Sequence, residues 1–278
     1  MIDGLDRPPA PRGATPLARE LAAAVDAARL AGALIREAYA GASRVDYKVG
    51  DDPLTEADRA ADRAIHTRLG EAFPGYGWLS EEDGAAATHA GSRSTWVVDP
   101  LDGTREFVAR IPEFAVSIAL VSDGRPVVAV VYNPVRDLLV AAERGRGAWV
   151  EGRRAAVTST PALAPSLVLA SRSETRTGLW DRFAGAFRVS AAGSIAYKLA
   201  LVATGQADAT FSVAPKHGWD VCAGTLLVEE AGGRVTRLDG GEMDFSAPDV
   251  LLDGMVASNG HLHEHLVELI GHRPGRVP

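Results

Sequence analysis

Cysteine is nearly missing from this chain: one thiol, Cys222, among 278 residues has no partner for an internal disulfide. The start, "MIDGLDRPPAPRGATP", lacks the apolar core of a signal peptide, and the two observations together place the protein in a reducing cytoplasm. Long hydrophobic runs are lacking as well. None approaches the ~20 residues needed to cross a bilayer, so no membrane partner is expected. A basic excess is also absent: 29 Lys and Arg stand against 36 Asp and Glu, a net charge of −7. That argues against a nucleic-acid polymer as partner, because domains that bind one carry a basic footprint. It leaves small anions open, since one local cationic site suffices for them. A chain this long buries roughly three quarters of its unfolded surface and needs no metal merely to fold. Any metal here would serve chemistry.

What is present divides into two textures. Residues 1–14, rich in Pro, Arg and Gly, read as a disordered tail, as does the stretch 273–278 at the other end. A long helix is predicted over 15–39, with Thr15 as cap, Pro16 in the first turn and apolar residues at helical spacing. A second follows over 55–73, where "TEAD" has the form of a capping box. From residue 95 the pattern changes to short β-rich runs, "TWVVD", "FAVSIALVS", "PVVAVVYN" and "DLLVAAE", with enough polar alternation to pair antiparallel. Beyond a soft boundary near 158, strands alternate with helices over 178–184, 194–204 and 220–231, ending in a terminal helix. The fold class is therefore layered α/β, with an α+β part over 15–158 and an α/β part over 159–272.

Four acidic clusters stand at the ends of apolar elements: "DPLTEAD" to Asp58, "LSEED" with Glu81, "DPLDGT" from Asp99 to Thr104, and "HGWD" to Asp220. Each alone has an ordinary explanation. Asp102-Gly103 reads as a turn, Asp58 as a capping-box acid, "SEED" as a solvated loop and Asp220 as an N-cap. Together they suggest a hard-cation site, because Mg²⁺ takes oxygen ligands and keeps waters and substrate phosphate in its shell. Asp99 and Asp102 can bridge two ions while the Leu101 carbonyl adds a ligand, and amides of Gly103 and Thr104 at a helix start can receive phosphate. Two-metal phosphoryl hydrolysis uses such an arrangement. The terminal "HLHEH" (261–265) invites a zinc reading, but its spacing is that of an amphipathic helix with a solvated face.

The runs "WVVDPLDGT" and "WDVCAGTLLVEEAGG", with "DPLTEAD" and "SEED" upstream, resemble the inositol monophosphatase superfamily of Mg²⁺-dependent, lithium-sensitive phosphatases. The resemblance covers roughly 17–272 and implies an αβαβα sandwich and a homodimer. It implies Glu81, Asp99 and the Leu101 carbonyl on one Mg²⁺, and Asp99, Asp102 and Asp220 on a second. A third ion would be held loosely near Glu81, and Mn²⁺ is an alternative metal. It also implies that Asp58 and Thr104 deprotonate the attacking water, with Glu81, as catalytic residues. Phosphate would lie on Asp102, Gly103, Thr104 and Asp220, and the substrate's remainder near Gly193 and Ser194. An inactive homologue acting as a binding protein is disfavoured, since Glu81, Asp99, Asp102 and Asp220 are all present.

The substrate is a small phosphorylated metabolite. "DGTREF", "LSEED" and "ASRSE" resemble 3'(2'),5'-bisphosphate nucleotidases, and Ser212-Val213 stand where inositol enzymes carry a glutamate. "FAVSIALV" and "KHGWDVCAG" are phrased as in inositol or sugar-phosphate members. Arg105, Arg172, Lys216 and His217 are candidates for a second phosphate, which Arg matches with a two-pronged fork. The expectation is adenosine 3',5'-bisphosphate, with inositol 1-phosphate or a related polyol phosphate as the alternative.

Overall fold

The computed structural model describes residues 17–41, 45–47, 53–82, 92–246 and 251–271. Thr15, Pro16, Asp83 and both tails lie outside them. The first half runs α1 (Ala18–Ala40), a ribbon β1 (Val45–Tyr47) and β2 (Pro53–Thr55), α2 (Glu56–Ala72), β3 (Gly77–Ser80), β4 (Ser94–Asp102), α3 (Thr104–Val108), β5 (Ala115–Ser122), β6 (Arg125–Asn133), β7 (Leu138–Glu143), β8 (Gly147–Val150) and β9 (Arg153–Arg154). The second half runs β10 (Leu167–Ser171), α4 (Arg172–Arg176), β11 (Arg188–Ala192), α5 (Ile195–Ala203), β12 (Ala209–Ser212), β13 (Lys216–His217), α6 (Gly218–Glu230), β14 (Arg234–Thr236), β15 (Leu251–Leu252), β16 (Met255–Ser258) and α7 (His263–Gly271).

Strands β3 to β9 form one sheet in sequence order, antiparallel except that β3 runs parallel to β4. A five-stranded sheet has the order β11-β10-β12-β16-β14 and is mixed. On one face of the larger sheet Trp96, Val98, Ile118 and Val130 pack under α1 and α2. Its other face, with Val97, Ala119 and Val131, packs on α5 and α6, which in turn meet Leu169, Met255 and Ala257 of the smaller sheet. The outer face of that sheet carries Phe211, Val168 and Val256 against Trp180, Phe183 and Leu266 of the last layer. The five layers are an αβαβα sandwich.

The composition of each helix follows from its layer. Helix α1 presents Ala24, Ala27, Ala28 and Ala31 at 0% exposure, and small side chains let it lie close on its neighbours. Gly32 marks the tightest point: a Cβ there would stand 2.4 Å from the Tyr132 ring of β6. Helix α6, sandwiched between two sheets, is buried on all sides, and it accordingly shows no polar face in "VCAGTLLV". Among the described residues no helix is long and apolar enough to cross a membrane.

Several sequence expectations are corrected. The strand expected to end at Asp99 continues to Asp102, because the chain bulges between Asp99 and Asp102 and then pairs again with Ala115. The helix expected over 178–184 is only a 3₁₀ turn, Asp181–Phe183, and the α-helical turn of this region, α4, comes earlier at Arg172–Arg176. The apolar spacing of Leu179, Trp180 and Phe183 reflects aromatic packing against Phe211 rather than a helix face. Strands β3, β8 and β9 were not expected. His263 in "HLHEH" is not solvated: it is fully buried, with its two ring nitrogens 2.9 Å from the Thr236 hydroxyl and 3.1 Å from that of Ser258. Neither ring nitrogen of His263 is left for zinc.

Candidate active site

The acidic clusters meet where β3, β4, α2, α3 and α6 converge. Parallel pairing places Ser80 beside Val98, and the Glu81 amide continues the ladder by donating to the Val98 carbonyl at 3.1 Å. This sets Glu81 next to Asp99. Ser80 also donates its hydroxyl to Asp62 of α2, which fixes the start of the "SEED" turn. On the far side of β4, Asp99 pairs with Ser117, whose hydroxyl donates to the Trp219 carbonyl at 3.2 Å and so ties the first turn of α6, with Asp220, to the sheet.

Each of the three aspartates is held by one oxygen. The Leu101 amide donates to Asp99 Oδ1 at 3.0 Å, and the His217 amide to Asp220 Oδ2 at 3.0 Å. Asp102 Oδ2 accepts from the Ser194 hydroxyl at 2.7 Å and the Ala196 amide at 2.6 Å. Burial and the neighbouring acids hold the Asp99 and Asp220 carboxyls well above the usual carboxylate range, and burial raises Asp102 as well. After burial, the nearby Glu81 carboxylate is the largest influence raising Asp99.

The donors fit a hard divalent cation: all are oxygen, four are acidic, and their mutual repulsion is what such an ion removes. Among the described residues no three acid, imidazole or thiol side chains stand at metal-holding spacing, so the carboxylates would have to draw together around an ion. Mg²⁺ keeps part of its shell for water and phosphate, so it needs fewer protein ligands than a full cage.

Beside these acids stands the predicted proton path. Thr55 caps α2 and closes a capping box with Asp58, whose Oδ2 accepts from the Thr55 amide at 2.7 Å and hydroxyl at 2.5 Å. The Thr104 hydroxyl lies 3.1 Å from Asp58 Oδ1 and 3.1 Å from the Leu101 carbonyl. Burial pushes the Asp58 carboxyl up to about 6, against Thr55 hydrogen bonds that pull it down. Gly103 adopts φ +97 between the bulge and α3, where a Cβ would meet the Glu113 carbonyl at 3.0 Å.

The chain belongs to the inositol monophosphatase family. The model of that family matches residues 17–273. Inositol monophosphatase 2 of Solanum lycopersicum is 36% identical over 89% of this chain and 96% of its own length. A histidinol-phosphatase of Mycobacterium tuberculosis is 40% identical over 81% of this chain and 86% of its own. The structure of the extragenic suppressor protein SuhB from Bartonella henselae superposes with a TM-score of 0.81 at 33% identity, covering 92% of this chain and 99% of that one. This inositol monophosphatase family member is therefore a phosphatase, of a generally metal-dependent family that acts on small phosphorylated metabolites.

The expected substrate contacts fare differently from the acids. Arg172 presents no open fork, since its Nε and Nη2 both donate to Glu113 Oε2, at 2.9 and 2.7 Å. The Gly193 amide donates to the same oxygen at 2.9 Å, and the Ser194 hydroxyl is taken up by Asp102. Lys216 lies 3.8 Å from the buried carboxylate of Glu174. His217 is exposed and stacks on Trp219 at 4.3 Å, and Arg105 is exposed on α3. Of "REF", Phe107 is core, packed with Tyr39 and Phe114, while Glu106 lies so close to Gly193 that a Cβ there would stand 2.2 Å from it.

Sequence reasoning missed Lys198. It projects from α5 into the interior at 2% exposure, and Asp102, Glu174 and Glu106 attract its charge. Burial, the largest influence, lowers its ammonium to about 8, and Lys216 adds repulsion. The signal was a single cation within the apolar run "IAYKLALVA".

Proposed function

We propose that this chain is a Mg²⁺-dependent phosphomonoesterase whose substrate carries a second anionic group, of the adenosine 3',5'-bisphosphate kind. The observation that carries the reading is the cationic wall made by Lys198, 2% exposed on α5, and Lys216 of β13, 3.8 Å from Glu174. Asp102, Glu174 and Glu106 hold these cations on the wall, where a second anionic group of the substrate would join them. Ser212 supports it from the other direction: its hydroxyl donates to Glu174, so β12 offers a polyol no carboxylate of its own. Inositol 1-phosphate is the second reading, favoured by relatives named inositol monophosphatase.

Glu81, Asp99, Asp102, Asp220 and the Leu101 carbonyl would hold two Mg²⁺, with a third near Glu81 and Mn²⁺ as substitute. When bound, the ions supply positive charge to the phosphoryl oxygens and lower the pKa of water. The residues do the rest. Thr104 orients the attacking water and passes its proton to Asp58, whose raised pKa brings it nearer the operating pH, as a general base requires. The Gly103 and Thr104 amides, at a helix start where no intrahelical bond uses them, receive phosphate oxygens. Attack by water needs no covalent phosphoenzyme, consistent with Cys222 being buried and its thiol pKa raised by burial.

The test compares kcat/KM for adenosine 3',5'-bisphosphate, inositol 1-phosphate, histidinol phosphate and fructose 1,6-bisphosphate, with and without Mg²⁺ and Li⁺. A preference of tenfold or more for the bisphosphate nucleotide, lost in Lys198→Met, is expected. A preference of that size for inositol phosphate would sink the first reading and establish the second.

A further inference from the structure

Glu113 belongs to none of the acidic motifs, yet it links both walls of the site. Its backbone sits just before β5, two residues ahead of Ala115, which pairs with Asp102. Its side chain, 18% exposed, reaches across to the smaller sheet. There a single oxygen, Oε2, accepts from Arg172 Nε and Nη2 at 2.9 and 2.7 Å and from the Gly193 amide at 2.9 Å. Arg172 directly follows β10, and Gly193 follows β11.

What Glu113 grips is a strained turn. Ser194 adopts φ +49 and ψ 121, a conformation that a non-glycine residue keeps only where its surroundings impose it. The imposed conformation places the Ser194 hydroxyl 2.7 Å and the Ala196 amide 2.6 Å from Asp102 Oδ2. The contacts thus close a ring, from Asp102 through Ser194, Gly193 and Glu113 back along β5 to the residue paired with Asp102. With one oxygen gripped by two donors, the carboxylate has one orientation for its other oxygen.

We infer that Glu113 is a positioning residue: with Arg172 it clamps the Gly193–Ser194 turn and so fixes the aim of the Asp102 carboxylate toward metal. This rests on the metal-phosphatase reading above. On this account Arg172 acts through Glu113 and does not touch substrate. Partners that orient a metal ligand typically contribute ~10- to 100-fold to affinity or activity, so the effect belongs in metal binding rather than in substrate recognition.

The experiment uses the full chain and the variants Glu113→Gln and Arg172→Lys, the second keeping the charge but losing the fork. Mg²⁺ binding is measured by calorimetry without substrate, hydrogen exchange is followed over 193–197, and kcat and KM are taken at saturating Mg²⁺. Both variants are expected to bind Mg²⁺ about tenfold more weakly or worse and to exchange faster over 193–197. KM should move less than about threefold, and the double variant should be little worse than either single. Unchanged Mg²⁺ affinity and exchange in both variants would overturn the clamp. So would a KM raised more than tenfold in Arg172→Lys at unchanged Mg²⁺ affinity, which would make Arg172 a substrate contact. If Glu113→Gln does not fold, Arg172→Lys decides alone. Wild-type protein that binds no Mg²⁺ would overturn the metal reading itself, whereas equal binding by wild type and variants overturns only the clamp.

Discussion

Where β4 meets α3, Asp99, Asp102 and Asp220 crowd together with their carboxyls pushed upward by burial and, for Asp99 and Asp220, by one another, while along the same wall Arg172 is held by Glu113 and Lys216 stands 3.8 Å from Glu174. In the first group burial and mutual repulsion outweigh what the protein supplies, which at Asp102 is Ser194, the Ala196 amide, Lys198 and Lys216. The other is largely compensated already. Buried like charges are relieved by taking up protons or by a ligand of opposite sign, so the raised acids are the candidates for the chemistry. Lys198 stands between the two groups: it is buried, one contact of 3.4 Å reaches the Ala192 carbonyl, and Asp102, Glu174 and Glu106 favour its charge.

Removing one of the raised acids should have the largest effect. Asp102→Asn or Asp99→Asn is expected to lower kcat by about 10³-fold, on the order of 4 kcal/mol in the barrier, and to raise the Tm of the metal-free protein by relieving repulsion. Steady-state kinetics and thermal melts check both halves. Asp58→Asn and Thr104→Ala come next, at roughly 10²-fold each, the lower range of proton-transfer catalysis. Melts without metal should stay near wild type for Thr104→Ala, which would separate the proton path from the acid cluster.

The pH dependence distinguishes the two kinds of burial. Asp58 has a folded pKa near 6 against an ordinary 3.8, so the folded state holds a proton that the unfolded chain has released. Metal-free stability should therefore fall as pH rises from about 4 to about 6, by on the order of 3 kcal/mol, while activity rises over the same window. His263 runs the other way. Burial lowers its pKa to about 4 from 6.5, so its contribution is present above 6.5 and is lost as pH falls toward 4. Urea melts across pH 4–7 of Asp58→Asn and His263→Gln resolve the two, each variant flattening its own slope. His263→Gln should leave kcat unchanged and cost about 1–3 kcal/mol, the range for leaving buried hydroxyls unpartnered. Smallest of all, Lys216→Ala should change KM for inositol 1-phosphate by less than about threefold, since Lys216 already faces Glu174.

Much of this was legible in the sequence where a local signal repeats or caps. The apolar spacing of α1 and α2, the Thr55–Asp58 box and the alternating strands β5 to β7 all carry their own periodicity, and the αβαβα layering follows from the family resemblance. The four residues of β3 did not, because "GWLS" between Pro-Gly and an acidic turn is too short to show a period. Its parallel pairing with β4, which delivers Glu81 to Asp99, is a purely tertiary fact. The acids of the centre were legible because four motifs converge on one chemistry. Glu113 was not, since its role depends on three donors from two other elements. The pairing of Arg172 with Glu113 was hidden for the same reason: a sequence shows that a fork exists, not which carboxylate meets it.

The most direct test of the acidic centre is a thermal melt of the wild-type chain and Asp102→Asn across a Mg²⁺ titration at neutral pH. A ligand bound only by the folded state at a hundred times its Kd stabilises by about 2.7 kcal/mol. The wild-type Tm should climb with Mg²⁺ until it overtakes that of Asp102→Asn, which starts higher and stays nearly flat. A wild-type Tm indifferent to Mg²⁺, or two parallel curves, would contradict the account.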